Sequence, residues 1–313
     1  SVSASLILNP SACDGLTSSA LKFLPLEAWI GPFEPFSFSL GGPFVLGAFG
    51  LLVALGFWVG MYVAIQRAKD QFLDARPIPE AVSWLLLGAL VGGHLGHALF
   101  YEPRHYFSNP VEFLYFWDGL SSIGGFLACT GLMIWFFRRK KGQFLPYGDV
   151  LAYAFPAGFF FGRLGCFAVS DHPGTLSEFP LAVKGIHPMP KVLCFENGID
   201  YGGAELSQAC REFVDQTGLH DLGLYEALFV GGLALIFWRL GRSPRAPGFF
   251  LGWLAVSYGS GRFFLDFLRS DLGPDVRYSV AVLPGLTPAQ WFSLALIGVG
   301  LWVLHGDWSL NMD

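Results

Sequence analysis

Seven long apolar stretches are the feature that most constrains how this chain can fold. They lie at 43–66, 80–101, 120–137, 149–169, 224–239, 247–268 and 287–305. Each is close to the roughly 20 residues that an α-helix needs to cross the hydrocarbon core of a bilayer. A segment that crosses lipid must satisfy its own backbone hydrogen bonds, and a helix does so. The sequence therefore predicts an all-α membrane protein, a bundle of seven transmembrane helices.

The composition agrees with a membrane location. Only 14% of the 313 residues are charged, whereas soluble domains usually carry about a quarter. The 40 glycines suit helices that pack closely in lipid. The net charge of −5 is small and there is no basic tract of the nucleic-acid-binding kind, so a nucleic-acid partner is not expected.

The short connections between the apolar stretches carry an orientation signal. On one side the cations are dense: Arg67, Lys69, Arg76, Arg138, Arg139, Lys140, Lys141, Arg239, Arg242 and Arg245. On the other side they are fewer and more scattered: Arg104, Lys184, Lys191, Arg211, Arg269 and Arg277. Because positively charged loops stay in the cytoplasm, this asymmetry predicts an external N-terminus and a cytoplasmic C-terminus.

This topology divides the chain into five parts. They are an external N-terminal segment at 1–42, helices one to four at 43–169, an external segment at 170–223, helices five to seven at 224–305, and a cytoplasmic tail at 306–313. The external segment between the fourth and fifth helices is too long for a simple turn. It is expected to form either a small folded cap or a mobile lid.

The five cysteines predict a disulfide rather than a metal site. Cys13, Cys194 and Cys210 lie outside by this topology, where disulfides are permitted. Cys194–Cys210 is the favoured pair, with Cys13 as a competing partner, because spacing alone does not decide between them. Cys166 lies at the outer boundary and Cys129 within a span. There is no Cys-x-x-Cys pattern of the zinc type, and neither a metal nor a cofactor is expected.

Two arginines are predicted at the same depth in the membrane. Arg163 and Arg262 each follow the start of an inside-to-outside span by 14–16 residues. At 1.5 Å per residue they lie roughly 21–24 Å across a core about 30 Å thick. A charge at that depth costs at least about 2–3 kcal/mol, so each arginine should face a partner or a polar cavity.

Acidic and basic neighbours of Arg262 leave two interpretations open. Asp266 lies four residues later on the same helical face, and Arg269 follows three residues after that. These three residues form either a structural ion-pair cluster or, together with Arg163, a site for an anionic group. Guanidinium groups match phosphate in geometry, and a lipid head group is the phosphate expected at this depth.

Other polar residues near the outer boundary are weaker candidates. His94 and His97 lie three apart on one face of the second span, and they are expected to pack against neighbouring helices rather than to bind a metal. Tyr225 and Glu226 open the fifth span, where the glutamate could simply be a carboxylate favoured by the helix dipole.

Several of these motifs resemble those of the prolipoprotein diacylglyceryl transferases of bacterial inner membranes. "GRLGCFAVSDHPG" (162–174) is similar to the signature G-R-x-G-N-F-x-N-x-E-x-x-G, and "YGSGRFFLDFLR" (258–269) to Y-G-x-x-R-x-x-x-E-x-x-R. "GGHLGHALFY" resembles G-x-R-x-G-Y-x-x-F-Y, "LYEAL" resembles Q-L-Y-E, and "SSIGGFLA" stands where the family has S-F-H-G-G. Seven spans, an external N-terminus and an external insertion after the fourth span also agree.

The resemblance implies an activity and a set of site residues. Family members transfer the diacylglyceryl group of phosphatidylglycerol to the lipobox cysteine of a prolipoprotein and release glycerol phosphate, without a metal. By position, Arg163 and Arg262 would hold the lipid phosphate, Asp171 and Asp266 would occupy the two glutamate positions, and Gly174 would be the closing glycine. The candidate substrate-binding residues are Gly174, Arg269, Tyr225, Glu226, Cys166, His94 and His97.

Seven positions depart from the family pattern. Cys166 and Val169 replace two asparagines, Asp171 a glutamate, Ile123 a histidine, Phe49 and His97 two tyrosines, and His94 an arginine. His94, His97 and Cys166 are the candidates to take over the lost polar functions. The departures also favour an alternative, in which an inactive relative serves as a lipid-binding structural subunit of a larger membrane complex.

Overall fold

The computed structural model describes residue 30 and residues 37–39, 45–100, 102–115, 119, 121–139, 144–170, 172–184, 194, 197–200, 207–269 and 285–306. Within this part of the chain the fold is mostly helical. The helices are α1 (Ala48–Asp70), α2 (Pro77–Phe100), α3 (Pro103–Ser108), α4 (Ser122–Arg139), α5 (Phe144–Val169), α6 (Gln208–Gln216), α7 (Leu222–Leu240), α8 (Phe249–Leu265) and α9 (Pro288–His305). Two 3₁₀ turns lie at Pro110–Leu114 and Asp266–Leu268.

The long helices coincide with the predicted apolar stretches, and their ends differ from the predicted ends by a few residues. Within the described residues, α1, α2, α5, α7 and α9 are long and apolar enough to cross a membrane, which confirms membrane-spanning helices for five of the seven stretches. The predicted third and sixth spans are α4 and α8, of 18 and 17 residues. The count of seven spans and the external N-terminus stay predictions.

Two small sheets correct the all-α expectation. β1 (Ser37–Ser39) pairs antiparallel with β2 (Val45–Gly47) directly before α1. β3 (Pro173–Leu176), β4 (Val183–Lys184) and β5 (Gly218–Asp221) form a second antiparallel sheet in the order β3-β5-β4. Strands of two to four residues are too short to show an alternating apolar pattern, so no periodic pattern predicts them.

α5 lies at the centre of the bundle, where it contacts α1, α7 and α8, while α2 packs on α4 and α8 packs on α9. Glycine pairs permit the closest approaches. A Cβ atom on Gly56 of α1 would lie 2.5 Å from the carbonyl oxygen of Gly158 in α5, and one on Gly96 of α2 would lie 2.5 Å from Cα of Gly124 in α4. Helices in lipid associate through such close packing.

A buried arginine joins three helices at the end of the bundle opposite to β3 and β5. Arg67 of α1 is 6% exposed, and its Nη1 donates to the carbonyl oxygen of Gly241 at 2.8 Å. Its guanidinium lies 4.7 Å from the ring centre of Tyr153 in α5. The orientation argument counted Arg67 as a loop cation, and the structure corrects this: Arg67 is a packing residue inside α1.

The 170–223 segment is folded in its described parts. The β3-β5-β4 sheet joins the end of α5 to the start of α7, and α6 precedes β5. Cys194 and Cys210 form a disulfide, which confirms the favoured pairing. Both cysteines are fully buried and pack with Val214 of α6. The competing partner, Cys13, lies outside the described residues.

Candidate functional site

Two buried arginines meet at one glutamate. Nη2 of Arg163 in α5 lies 3.1 Å from Oε2 of Glu226, and Nη1 of Arg262 in α8 lies 3.6 Å from the same oxygen. Glu226 belongs to the second turn of α7 and is 1% exposed. The carboxylate therefore connects the three helices that pack together at the centre of the bundle.

The local sequence explains why α7 brings Glu226 so close to α5. Asp221 caps α7, since its Oδ1 accepts a hydrogen bond of 2.8 Å from the backbone N–H of Leu224. Gly223 then lets the first turn press against α5, because a Cβ atom there would lie 2.8 Å from the backbone nitrogen of Phe167. Glu226 follows three residues later, on the same face of the helix.

Three further side chains fix the geometry of this cluster. The hydroxyl of Tyr258 in α8 donates to Oε1 of Glu226 at 2.6 Å, so both carboxylate oxygens are engaged. The guanidinium of Arg163 lies 5.0 Å from the ring centre of Phe159 and its Nη1 lies 3.6 Å from Sγ of Cys166. Arg163 is thus held between a charge, an aromatic face and a thiol.

Asp266 forms a second acidic centre beside the first. Its Oδ1 lies 3.3 Å from Nη2 of Arg262 and 3.2 Å from Nε of Arg269, and its Oδ2 accepts a hydrogen bond from the hydroxyl of Thr287. Asp266 is 4% exposed. Arg262 therefore bridges two carboxylates, and the ion pairs continue from Arg163 to Arg269 without a break.

The cluster keeps capacity for another acceptor. Among the described residues, Nε of Arg163 is buried without a hydrogen-bond partner, and Nη1 of Arg262 has only its 3.6 Å ion-pair contact with Oε2 of Glu226, which is longer than a hydrogen bond. Within the described part of the chain, three guanidinium groups, those of Arg163, Arg262 and Arg269, contact two carboxylates, those of Glu226 and Asp266. Buried donors without acceptors are costly, and a phosphate oxygen would satisfy them.

Gly174 connects the signature segment to this cluster. It forms an antiparallel bridge with Arg269, and a Cβ atom at Gly174 would lie 2.5 Å from the carbonyl oxygen of Leu268 and 2.7 Å from that of His220. Only glycine allows β3 to fit between these backbones. Asp171, the predicted acid of the same segment, lies outside the described residues.

The remaining predicted residues belong to other groups of side chains. His94 is 2% exposed, its Nδ1 lies 3.4 Å from the carbonyl oxygen of Gly119, and its ring stands edge-on to Tyr106. His97 packs edge-on to the same tyrosine. Tyr225 turns towards β5, where its hydroxyl lies 2.8 Å from Nδ1 of His220.

The structure thus unites six of the predicted site residues in one connected cluster: Arg163, Arg262, Asp266, Arg269, Glu226 and Cys166. Two residues of the cluster, Tyr258 and Thr287, had no predicted role. Tyr258 lies four residues before Arg262, and this helical spacing could have revealed it. Thr287 was recognisable as the N-cap of a capping box with Gln290, but its bond to Asp266 depends on the tertiary fold.

No group of three or more His, Cys, Asp or Glu side chains that could hold a metal ion occurs within the described ranges. The arginine cluster consists of guanidinium, carboxylate, phenol, hydroxyl and thiol groups. These groups suit the binding of an anion, with the arginines as donors and the carboxylates as anchors that orient them.

Comparison with known proteins decides the family. The sequence model described as Prolipoprotein diacylglyceryl transferase matches residues 35–305. The chain belongs to this family. The match includes all seven long helices and the 170–223 segment, so every residue of the arginine cluster lies inside the region shared with the prolipoprotein diacylglyceryl transferase family.

Individual relatives agree with this assignment. A protein of Solidesulfovibrio magneticus is 32% identical over 277 residues, covering 87% of this chain and 94% of the relative. Proteins of Janthinobacterium sp. and Methylobacillus flagellatus are 31% and 30% identical over 284 and 280 residues, with 88% and 87% of this chain covered and 96% and 95% of theirs. All three are named phosphatidylglycerol–prolipoprotein diacylglyceryl transferase.

Proposed function

We propose that this chain transfers the diacylglyceryl group of phosphatidylglycerol to a cysteine thiol of a prolipoprotein and releases glycerol phosphate. Its family and the names of its relatives support this reaction. The observation that carries the proposal is the convergence of Arg163 and Arg262 on Glu226, with buried donors left over for a phosphate.

The two arginines would bind the phosphate diester of the lipid. Arg163 and Arg262 come from different helices, so their planar groups can reach different oxygens of one phosphate. Their positions are fixed before the lipid arrives, because Glu226 and Asp266 already hold them by ion pairs of 3.1 to 3.6 Å. Such preorganised donors need no rearrangement when charge develops during the reaction.

The chemical step breaks one carbon–oxygen bond and forms one carbon–sulfur bond. The thiolate attacks the glyceryl carbon that carries the phosphate, and the electron pair of the broken bond leaves with the phosphate oxygen. The departing glycerol phosphate gains one negative charge, which the guanidinium groups stabilise. The attack requires the thiolate rather than the thiol, so a proton acceptor is needed nearby.

The proposed topology places this chemistry in the outer half of a bacterial inner membrane. It has seven spans, an external N-terminus and the 170–223 segment as an external cap. Three features support it: seven helices at the seven apolar stretches, the asymmetry of the loop cations and the family membership. In this topology the arginine cluster lies below the cap, in the outer half of the hydrocarbon core.

The proposal is tested by transfer of labelled phosphatidylglycerol to a lipobox peptide by the purified protein in detergent. Wild type is expected to label the peptide cysteine. Arg163→Gln and Arg262→Gln are each expected to lower kcat/KM by at least about 10²-fold, the usual effect of removing one charge-stabilising donor. The lysine variants keep the charge but lose the planar fork, so they should recover only part of the activity.

Arg67→Gln is the matched control, because Arg67 is equally buried but lies at the opposite end of the bundle. Activity per folded molecule should remain near that of wild type in this variant. If wild type leaves the peptide unmodified while the Methylobacillus flagellatus relative labels it under the same conditions, transfer is refuted and the inactive lipid-binding alternative takes its place.

A further inference from the structure

A second polar pair lies beside the arginine cluster, and the reaction as described does not use it. His220 is in β5 and Tyr225 is in the first turn of α7, one residue before Glu226. Both line a cleft of about 390 Å³. The other side chains that line this cleft are apolar: Phe179 and Leu181 from the segment between β3 and β4, Leu228 of α7, Leu265 of α8 and Leu268.

The geometry of the pair orients the imidazole. Nδ1 of His220 lies 2.8 Å from the Tyr225 hydroxyl, and the two rings stand at 67° to each other. A neutral ring whose Nδ1–H donates this hydrogen bond to the Tyr225 hydroxyl oxygen has an unprotonated Nε2, which is the nitrogen able to accept a proton from a substrate. A ring held at one nitrogen, in a side chain that lines a cleft, is the arrangement of a histidine general base.

The carboxylates of the cluster do not suit this role. Glu226 accepts the hydrogen bond from Tyr258 and pairs with two guanidinium groups. Asp266 pairs with the guanidinium groups of Arg262 and Arg269. Both oxygens of each carboxylate already face donors of the protein, so neither carboxylate has an oxygen left to approach a substrate thiol. At the position where the family has a histidine this chain has Ile123, which cannot accept a proton at all.

We infer that His220 is the general base that removes the proton from the prolipoprotein thiol, with Tyr225 as its positioning residue. This inference rests on the proposed function and specifies which group activates the nucleophile. The thiol proton passes to Nε2, and the resulting thiolate attacks the glyceryl carbon while the phosphate leaves. The imidazolium then releases its proton to water, which regenerates the base.

His220 also touches the signature segment. Its carbonyl oxygen and Cβ lie 2.7 and 2.8 Å from where a Cβ of Gly174 would be, and Gly174 bridges to Arg269. Tyr225 of the pair directly precedes Glu226 in α7, so the cleft and the arginine cluster use neighbouring residues of one helix.

The protonation state at neutral pH fits a base. Partial burial lowers the pKa of His220, so the ring is neutral and ready to accept a proton at pH 7. The titratable and charged groups on the elements around it are His172 beside β3, Lys184 of β4, Asp221 and Tyr225 at the start of α7, and Arg269 after α8.

The decisive measurement is the pH dependence of kcat/KM for His220→Gln. The loss at pH 7 should be about 10²-fold or more, the usual contribution of a general base. Above pH 7 the deficit should shrink by about tenfold per pH unit until the peptide thiol ionises by itself near pH 8.5. Tyr225→Phe keeps the imidazole of His220 but removes the hydrogen bond that orients it. The loss of kcat/KM should therefore be smaller than in His220→Gln, and the pH profile should keep the wild-type shape.

His105→Gln is the control, since His105 is half-exposed and pairs with Glu112 away from the cluster; its profile should match wild type. A loss in His220→Gln that is the same at every pH, or no loss, would overturn the inference while leaving the proposed function intact. An inactive wild type would overturn both. If His220→Gln does not fold, the wild-type profile decides. A kcat/KM that falls nowhere between pH 6.5 and the acid limit of folding refutes the base, because burial lowers the pKa of His220 from its usual value near 6.5 and protonation of the ring must abolish the reaction.

Discussion

Replacing Glu226 by Gln removes one negative charge from between two buried guanidinium groups and hardly changes the shape of the side chain. Arg163 is 8% exposed and loses its counter-ion at 3.1 Å, whereas Arg262 keeps Asp266 at 3.3 Å. Breaking a buried ion pair by removing one partner costs about 3–5 kcal/mol, because the other charge stays buried without compensation. We expect the free energy of unfolding of Glu226→Gln to fall by this amount.

Two comparisons separate the charge effect from general damage. Tyr258→Phe removes one hydrogen bond to the charged Glu226 and should cost less, about 1.5–3 kcal/mol. The double variant Arg163→Gln/Glu226→Gln removes both the carboxylate and the arginine that it leaves unpaired. It should therefore be less destabilised than the sum of the two single variants, a positive coupling that a double-mutant cycle measures directly.

The assay is unfolding of the purified proteins in one detergent, followed by intrinsic fluorescence over temperature and denaturant. Asp74→Asn is the matched control, since Asp74 pairs with Arg76 on the surface, where the arginine side chain is 92% exposed. That variant should be nearly neutral, because exposed ion pairs contribute little. If Glu226→Gln is as stable as Asp74→Asn, the argument that the cluster is a desolvated charge network is wrong.

The remaining predictions concern the 170–223 segment. Gly174→Ala forces a methyl group to within 2.5 Å of a backbone oxygen, so the free energy of unfolding should fall by about 1–3 kcal/mol and most of the transfer activity should be lost. An active variant of wild-type stability contradicts the tight fit of β3. Cys194→Ser/Cys210→Ser opens a loop with a sequence separation of 16, so the free energy of unfolding of the segment should fall by about 3 kcal/mol and a protease should cut it faster. Unchanged protease resistance contradicts a stabilising role of the disulfide. Burial lowers the pKa of His220 in the folded chain, so as the pH falls below about 6.5 the unfolded chain binds a proton before the folded chain does, and the free energy of unfolding should decrease. This decrease should be smaller in His220→Gln. An equal decrease in both proteins contradicts a lowered pKa of His220.

The helical frame could be predicted from the sequence because its signal is long. Seven apolar stretches of 16 or more residues stand out over any local variation, and the structure has a helix at each of them. The small sheets could not be predicted, since strands such as Val183–Lys184 are shorter than any periodic pattern. Their pairing depends on contacts between residues far apart in sequence, such as Lys184 with Gly218.

The arginine cluster could be predicted in part. The sequence placed Arg163 and Arg262 at one depth and Asp266 one turn from Arg262, and these local spacings are properties of a helix. It did not identify Glu226 as the group between the arginines, because this depends on how α7 packs against α5 and α8. For the same reason Thr287 and His220 could be found only in the folded structure.

The account depends most on the claim that Arg163 and Arg262 together hold the phosphate of a lipid. The direct test is competition between phosphatidylglycerol and diacylglycerol with identical acyl chains, measured as lipid retained by the purified protein in native mass spectrometry. Wild type and Arg67→Gln should prefer the lipid that carries phosphate, and Arg163→Gln and Arg262→Gln should lose that preference. An undiminished preference in both of these variants would contradict the account.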